Sequence, residues 1–153
     1  MFELSENDFI PLDGFSERWR FADATYGYVS PDLQERIRPL AAEPASAAGE
    51  EARSRHPAPD SRGIEGAEFD AAAEPGAVRD WLRALPVSPR AKVLVSWDAR
   101  TAVLTDWEAF IAYWDDFCHT ASDDVTVWSP DAQWTLAYWH DDLLRFSSRP
   151  HAI

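Results

Sequence analysis

Carboxylates recur in adjacent pairs late in the chain: Asp115 and Asp116, Asp123 and Asp124, Asp141 and Asp142. Paired carboxylates can hold a divalent cation, run acid–base hydrolysis, or present a negative face to a basic partner. For a metal, His119 and His140 add plausible ligand types to Asp115, Asp116, Asp123 and Asp124. Their spacing matches neither a calcium-binding EF-hand loop nor a His-Glu-x-x-His helix, so no metal or cofactor is expected. For hydrolysis, neighbouring aspartates are too common in turns to carry the assignment alone.

Nucleophilic chemistry has as little to rest on. Cys118 and His119 are neighbours in sequence, but a nucleophile and its base are brought together by the fold. Cys118 also falls on an apolar helix face, which predicts a core thiol. His140 follows a strand and reads as a surface turn histidine, with a base or a pH-sensitive contact as the sharper alternative. No Gly-x-Ser-x-Gly elbow and no Gly-rich phosphate loop is present. No catalytic residue is therefore predicted, and the leading expectation is a protein that is not an enzyme.

Composition narrows the partners. The chain has 153 residues, the size of one domain, and 46% of them are hydrophobic, enough for a core. Acidic residues outnumber Lys and Arg by 27 to 14, a formal net charge of -13. Such a surface repels phosphate backbones and anionic membranes, and a basic protein is its natural complement. The plainer reading is that the charge keeps the protein dispersed. One cysteine excludes an internal disulfide framework. The N-terminus shows no signal-peptide pattern, and no run approaches the ~20 apolar residues of a membrane span. A cytoplasmic location is expected.

The elements follow from periodicity. Ser30-Pro31 opens a short helix with Leu33 and Ile37 on one face. Residues 41–74 are rich in Ala, Glu, Pro, Gly and Ser, which predicts a long flexible insertion. Val78, Trp81, Leu82 and Leu85 make the apolar face of a helix that begins at Glu74-Pro75.

The span from 91 to 147 reads as a strand–helix–meander unit. Lys92 to Trp97 is a strand and Asp98 to Arg100 a turn. Thr105 and Glu108 form a capping box for a helix whose apolar face is Trp107, Phe110, Ile111, Trp114, Phe117 and Cys118. Val125 to Trp128 and Gln133 to Trp139 make a hairpin, and Leu143 to Phe146 an edge-like third strand. On this reading Asp115 and Asp116 sit in the last helical turn, where the dipole favours cations and each costs roughly 0.3–1 kcal/mol. A local rule broken in this way points to function. The plainer alternative is a solvated surface with local caps.

The predicted architecture is a single α+β domain. It has an antiparallel sheet of about four strands, helices packed on one face, and the 41–74 insertion.

Several stretches carry a resemblance: Tyr113-Trp-Asp-Asp-Phe-Cys118, Ser122-Asp-Asp-Val125, Val127-Trp128, Trp134 to His140, and Arg18-Trp-Arg-Phe21 to Arg36-Ile-Arg-Pro-Leu40. Together they resemble a set of small acidic bacterial proteins, some of them similar to immunity proteins of polymorphic toxin systems. The resemblance covers about residues 9–40 and 91–147. It implies a cytoplasmic, non-enzymatic protein that neutralises a toxin by binding it, and it carries over no contact residue.

The site expected from all this is an acidic face of Asp115, Asp116, Asp123, Asp124, Asp141 and Asp142. Exposed Tyr113 or Trp139 would anchor the partner. A small hydrolase or metal-dependent enzyme using the same aspartates is one alternative. A structural or regulatory protein is the other.

Overall fold

Val93, Leu94 and Val95 are all fully buried, although successive strand residues point to opposite faces. A continuous apolar run of this kind belongs to a strand covered on both sides. The computed structural model describes residues 2–22, 29–55, 67–70, 75–98, 100–119, 123–140 and 143–147. Helices lie on both faces of its sheet, not on one as the sequence predicts.

Seven antiparallel strands are described, against about four expected: β1 Arg38–Pro39, β2 Ala67–Asp70, β3 Lys92–Asp98, β4 Thr101–Asp106, β5 Val125–Trp128, β6 Thr135–Trp139 and β7 Leu143–Ser147. Their order across the sheet is β1-β4-β3-β5-β6-β7-β2. Strand β4 is hidden in the sequence because Thr105 resembles a helix cap. Thr105 in fact pairs with Val93 inside the sheet. The cap is Asp106, whose side chain accepts a hydrogen bond from the Ala109 amide. Strand β7 is not an edge, since β2 pairs along its outer side.

The first face carries the larger core. Helix α4 (Pro75–Arg83) contributes Val78 and Leu82, both fully buried. Here Trp134, Leu136 and Tyr138 point the same way and join that core, as the alternation predicts. The two short N-terminal helices α1 (Trp19–Ala22) and α2 (Pro31–Gln34) pack at this level, with Phe21 fully buried.

The opposite face corrects the flexible-insertion reading. Residues Ala42–Arg55 form helix α3. Ala45, Ala48, Gly49 and Ala52 recur at i, i+3, i+4 and i+7 and are its buried residues. Three of them, Ala45, Ala48 and Ala52, cluster with Leu94, Ala102 and Trp128 of the sheet. The face is invisible to a count of large apolar side chains because it is built from methyl groups. Alanine also gives the best intrinsic helix propensity. The remainder of the expected insertion, 56–66 and 71–74, lies outside the described residues.

The long helix expected after Thr105 is two helices. α5 (Trp107–Ala112) ends at Tyr113, whose φ -128 and ψ 34 are not helical, and α6 (Trp114–Phe117) follows. All six residues of the expected apolar face are nonetheless buried. Arg79 of α4 donates to the Ile111 carbonyl at 3.2 Å, which satisfies one acceptor at the break.

Candidate functional site

The break at Tyr113 changes the setting of the first aspartate pair. Asp115 and Asp116 occupy the first turn of α6, not the last turn of a long helix. The expected conflict with the dipole of a long helix therefore does not arise, because α6 is a single four-residue turn. What remains is a like-charge pair. Asp115 is 48% exposed at its side chain and stands 3.7 Å from Arg79. Asp116 is half-buried, and burial together with the Asp115 charge pushes its carboxyl up to about 6, against a smaller downward pull from Arg79. Two carboxylates face one guanidinium at this corner.

The second pair splits. Asp123 turns inward and binds Arg20 through two hydrogen bonds, of 2.7 and 3.1 Å. It also accepts from the His119 amide at 2.8 Å. Asp123 is thus spent on an internal ion pair and does not belong to an open acidic face. Asp124 turns outward, is 56% exposed, and accepts from both the backbone and the ring Nδ1 of His140. Asp141 and Asp142 lie outside the described residues.

The aromatic anchors divide as well. Tyr113 is half-buried at the α5–α6 junction. Trp139 is only 4% exposed, so it cannot be the exposed anchor expected of it. It lies on the sheet face opposite Tyr138, and both faces of β6 are covered. Full coverage is what turns an alternating strand into a wholly buried one.

Sequence reasoning missed the centre of the most organised polar cluster. Arg20 is 3% exposed and reaches Glu17 at 2.9 Å as well as Asp123. Its guanidinium lies 4.7 Å from the Trp19 ring and 5.0 Å from the Trp97 ring. Trp97 Nε1 donates to the Phe117 carbonyl at 2.7 Å, and Arg20 reaches the same carbonyl at 3.5 Å. The available signal was one arginine set between two aromatics, Trp19 and Phe21. Buried charges persist only when paired and hydrogen-bonded, and this one is.

Cys118 is 1% exposed, and burial raises its thiol well above the usual range. A thiol held protonated is a poor nucleophile, which fits the core role expected of it. Among the described residues no group of three or more His, Cys, Asp and Glu could hold a metal ion, and no helix is long and apolar enough to cross a membrane.

No protein-family model matches the chain, and comparison with curated proteins and with solved structures gives no match.

Proposed function

We propose that the chain is a non-enzymatic binding module that engages a basic protein through the Asp115–Asp116 corner, with Asp124 as a second acidic contact. The observation that carries this reading is the charge imbalance at the start of α6. Asp115 is 48% exposed and shares its guanidinium partner, Arg79, with an ionisable neighbour already pushed up to about 6. A cation from a partner would relieve that repulsion, and the net charge of -13 would speed its approach. The resemblance to immunity proteins gives the partner a class: a bacterial toxin with a basic active face, met in the cytoplasm.

The test is affinity capture from a bacterial host lysate at low and moderate salt, using the intact chain and an Asp115→Lys, Asp124→Lys variant. Salt-sensitive capture of one basic protein by the intact chain, lost in the variant, is the expected result. Equal capture by both proteins, or none by either, overturns the assignment.

A further inference from the structure

The core under α3 is short of large side chains. Among the described residues it has seven buried members; Leu40, Leu94 and Trp128 are large and the other four are alanines. Phe2, Leu4 and Phe9 close it from outside, each only partly buried. They arrive from the edge of the sheet. Phe9 bridges Leu40 beside β1, and Phe2 meets Trp128 of β5 edge-on with ring centroids 5.2 Å apart. The strand order β1-β4-β3-β5 therefore carries residues 2–9 across the second face, over β4 and β3.

The two ends of this cover are held differently. Near β1 the backbone is fastened: the Ala41 amide donates to the Asp8 carbonyl at 2.7 Å, and the Ile10 amide donates to the Pro39 carbonyl at 2.9 Å. Among the described residues, Phe2, Glu3 and Leu4 make no hydrogen bond. Glu3 is exposed, so this end rests on the core by the apolar contacts of Phe2 and Leu4. Beneath it the Trp128 side chain is fully buried, yet Nε1 has no hydrogen-bond partner among the described residues. A buried indole N–H ordinarily finds an acceptor, and leaving it unpaired is costly. The present cover thus fills the groove incompletely.

Charge indicates what fills it better. The Arg55 guanidinium lies 4.6 Å from the Trp128 ring. Arg38 lies 3.9 Å from the Phe9 ring and pairs with Glu6 at 2.8 Å. A cation stands at either end of the groove, in a chain whose formal net charge is -13. Such a groove favours carboxylates. We propose that the Trp128 groove docks an extended segment of a partner protein in which apolar and acidic residues alternate, and that residues 2–4 are the chain's own stand-in, displaced on binding. An acceptor oxygen of the incoming segment pairs with Trp128 Nε1. The groove lies on the sheet face opposite α5 and α6, so it is separate from the Asp115–Asp116 corner.

The probe is the peptide Phe-Glu-Leu-Ser-Glu, the sequence of residues 2–6, titrated while the indole N–H resonance of Trp128 is followed. The intact chain is compared with a Phe2→Ala, Leu4→Ala variant, in which the tethered competitor is weakened. The expected result is a saturable shift in both, with half-saturation at about tenfold less peptide in the variant, because a tethered segment competes at high effective concentration. The same peptide carrying Glu3→Lys and Glu6→Lys should bind several-fold more weakly. No shift in the variant, equal half-saturation in the two proteins, or equal binding of the lysine peptide each overturns the groove. Should the variant not fold, the intact chain decides: a saturable shift with the acidic peptide and none with the lysine form supports docking, and any other result overturns it. Sedimentation of the intact chain as a dimer that the variant loses would put a second copy's residues 2–4 in the groove and overturn the partner assignment.

Discussion

Arg20 Nη1 stands 2.7 Å from Asp123 Oδ2, across 103 positions of sequence, and the pair ties the N-terminal segment to the approach to β5. Removing Arg20 leaves the Asp123 carboxylate without its cation, and removing the Asp123 charge leaves the buried guanidinium with Glu17 at 2.9 Å. Arg20→Met and Asp123→Asn are each expected to destabilise the fold by about 3 kcal/mol, near the lower end for a broken buried pair because Asp123 keeps some exposure. Urea unfolding followed by tryptophan fluorescence measures this. The double variant Arg20→Met, Asp123→Asn should lose less than the sum of the two single losses. A purely additive result would show that the two residues do not act as a pair.

Asp106 and Thr105 test where α5 starts. Asp106 caps the helix and is bound by Arg36, with Nε–Oδ2 at 2.8 Å. Asp106→Ala is expected to cost about 1–2 kcal/mol, as lost caps do. Thr105 is 1% exposed and its hydroxyl has no hydrogen-bond partner among the described residues. Thr105→Val, similar in shape and without a hydroxyl to desolvate, should be neutral or stabilising by up to about 1 kcal/mol. A large loss at Thr105 with none at Asp106 would restore Thr105 as the cap.

Asp116 gives a pH dependence of defined sign. Its folded carboxyl is raised from 3.8 to about 6, so the folded state holds a proton that the unfolded state has released. Its contribution to stability is therefore most favourable below about pH 4 and is lost as pH rises through about 6. Asp116→Asn should remove that slope and raise stability at neutral pH by about 1 kcal/mol, after discounting for solvent screening. Thermal melts across this range provide the check. An unchanged slope would mean that the carboxyl ionises freely in the fold.

The alanine face of α3 admits a size test. Ala48 is fully buried against the sheet while its neighbour Ala47 is exposed. Ala48→Leu must displace packed neighbours and is expected to cost about 1–3 kcal/mol. Ala47→Leu should change stability by no more than about 0.5 kcal/mol. Similar effects at the two positions would mean that α3 does not pack as described.

What the sequence made legible was whatever rests on large side chains in regular alternation. The β5–β6 hairpin, the inward row Trp134, Leu136 and Tyr138, and the faces of α4 and α5–α6 all stand. Features resting on small residues or on distant partners were not legible. The α3 face is methyl groups, and a scan for bulk passes over it. Strand β4 was concealed because Thr105 suits a strand and a cap equally. Asp123 and Asp124 have the same local sequence prospects, yet one meets a buried arginine from the other end of the chain and the other faces water. Adjacency could not tell them apart.

The strand order has one last consequence. β1 and β2, both supplied by the N-terminal half, flank the five C-terminal strands on opposite sides. They act as bumpers. A fragment holding only 91–147 would lose the pairing of Arg38–Pro39 with Val103 and Leu104 of β4, and that of Ala67–Asp70 with Leu143 to Phe146 of β7. Edges uncovered in that way recruit further strands from other chains. The most regular part of the molecule is thereby also the part whose edges depend on the plainer N-terminal half for cover.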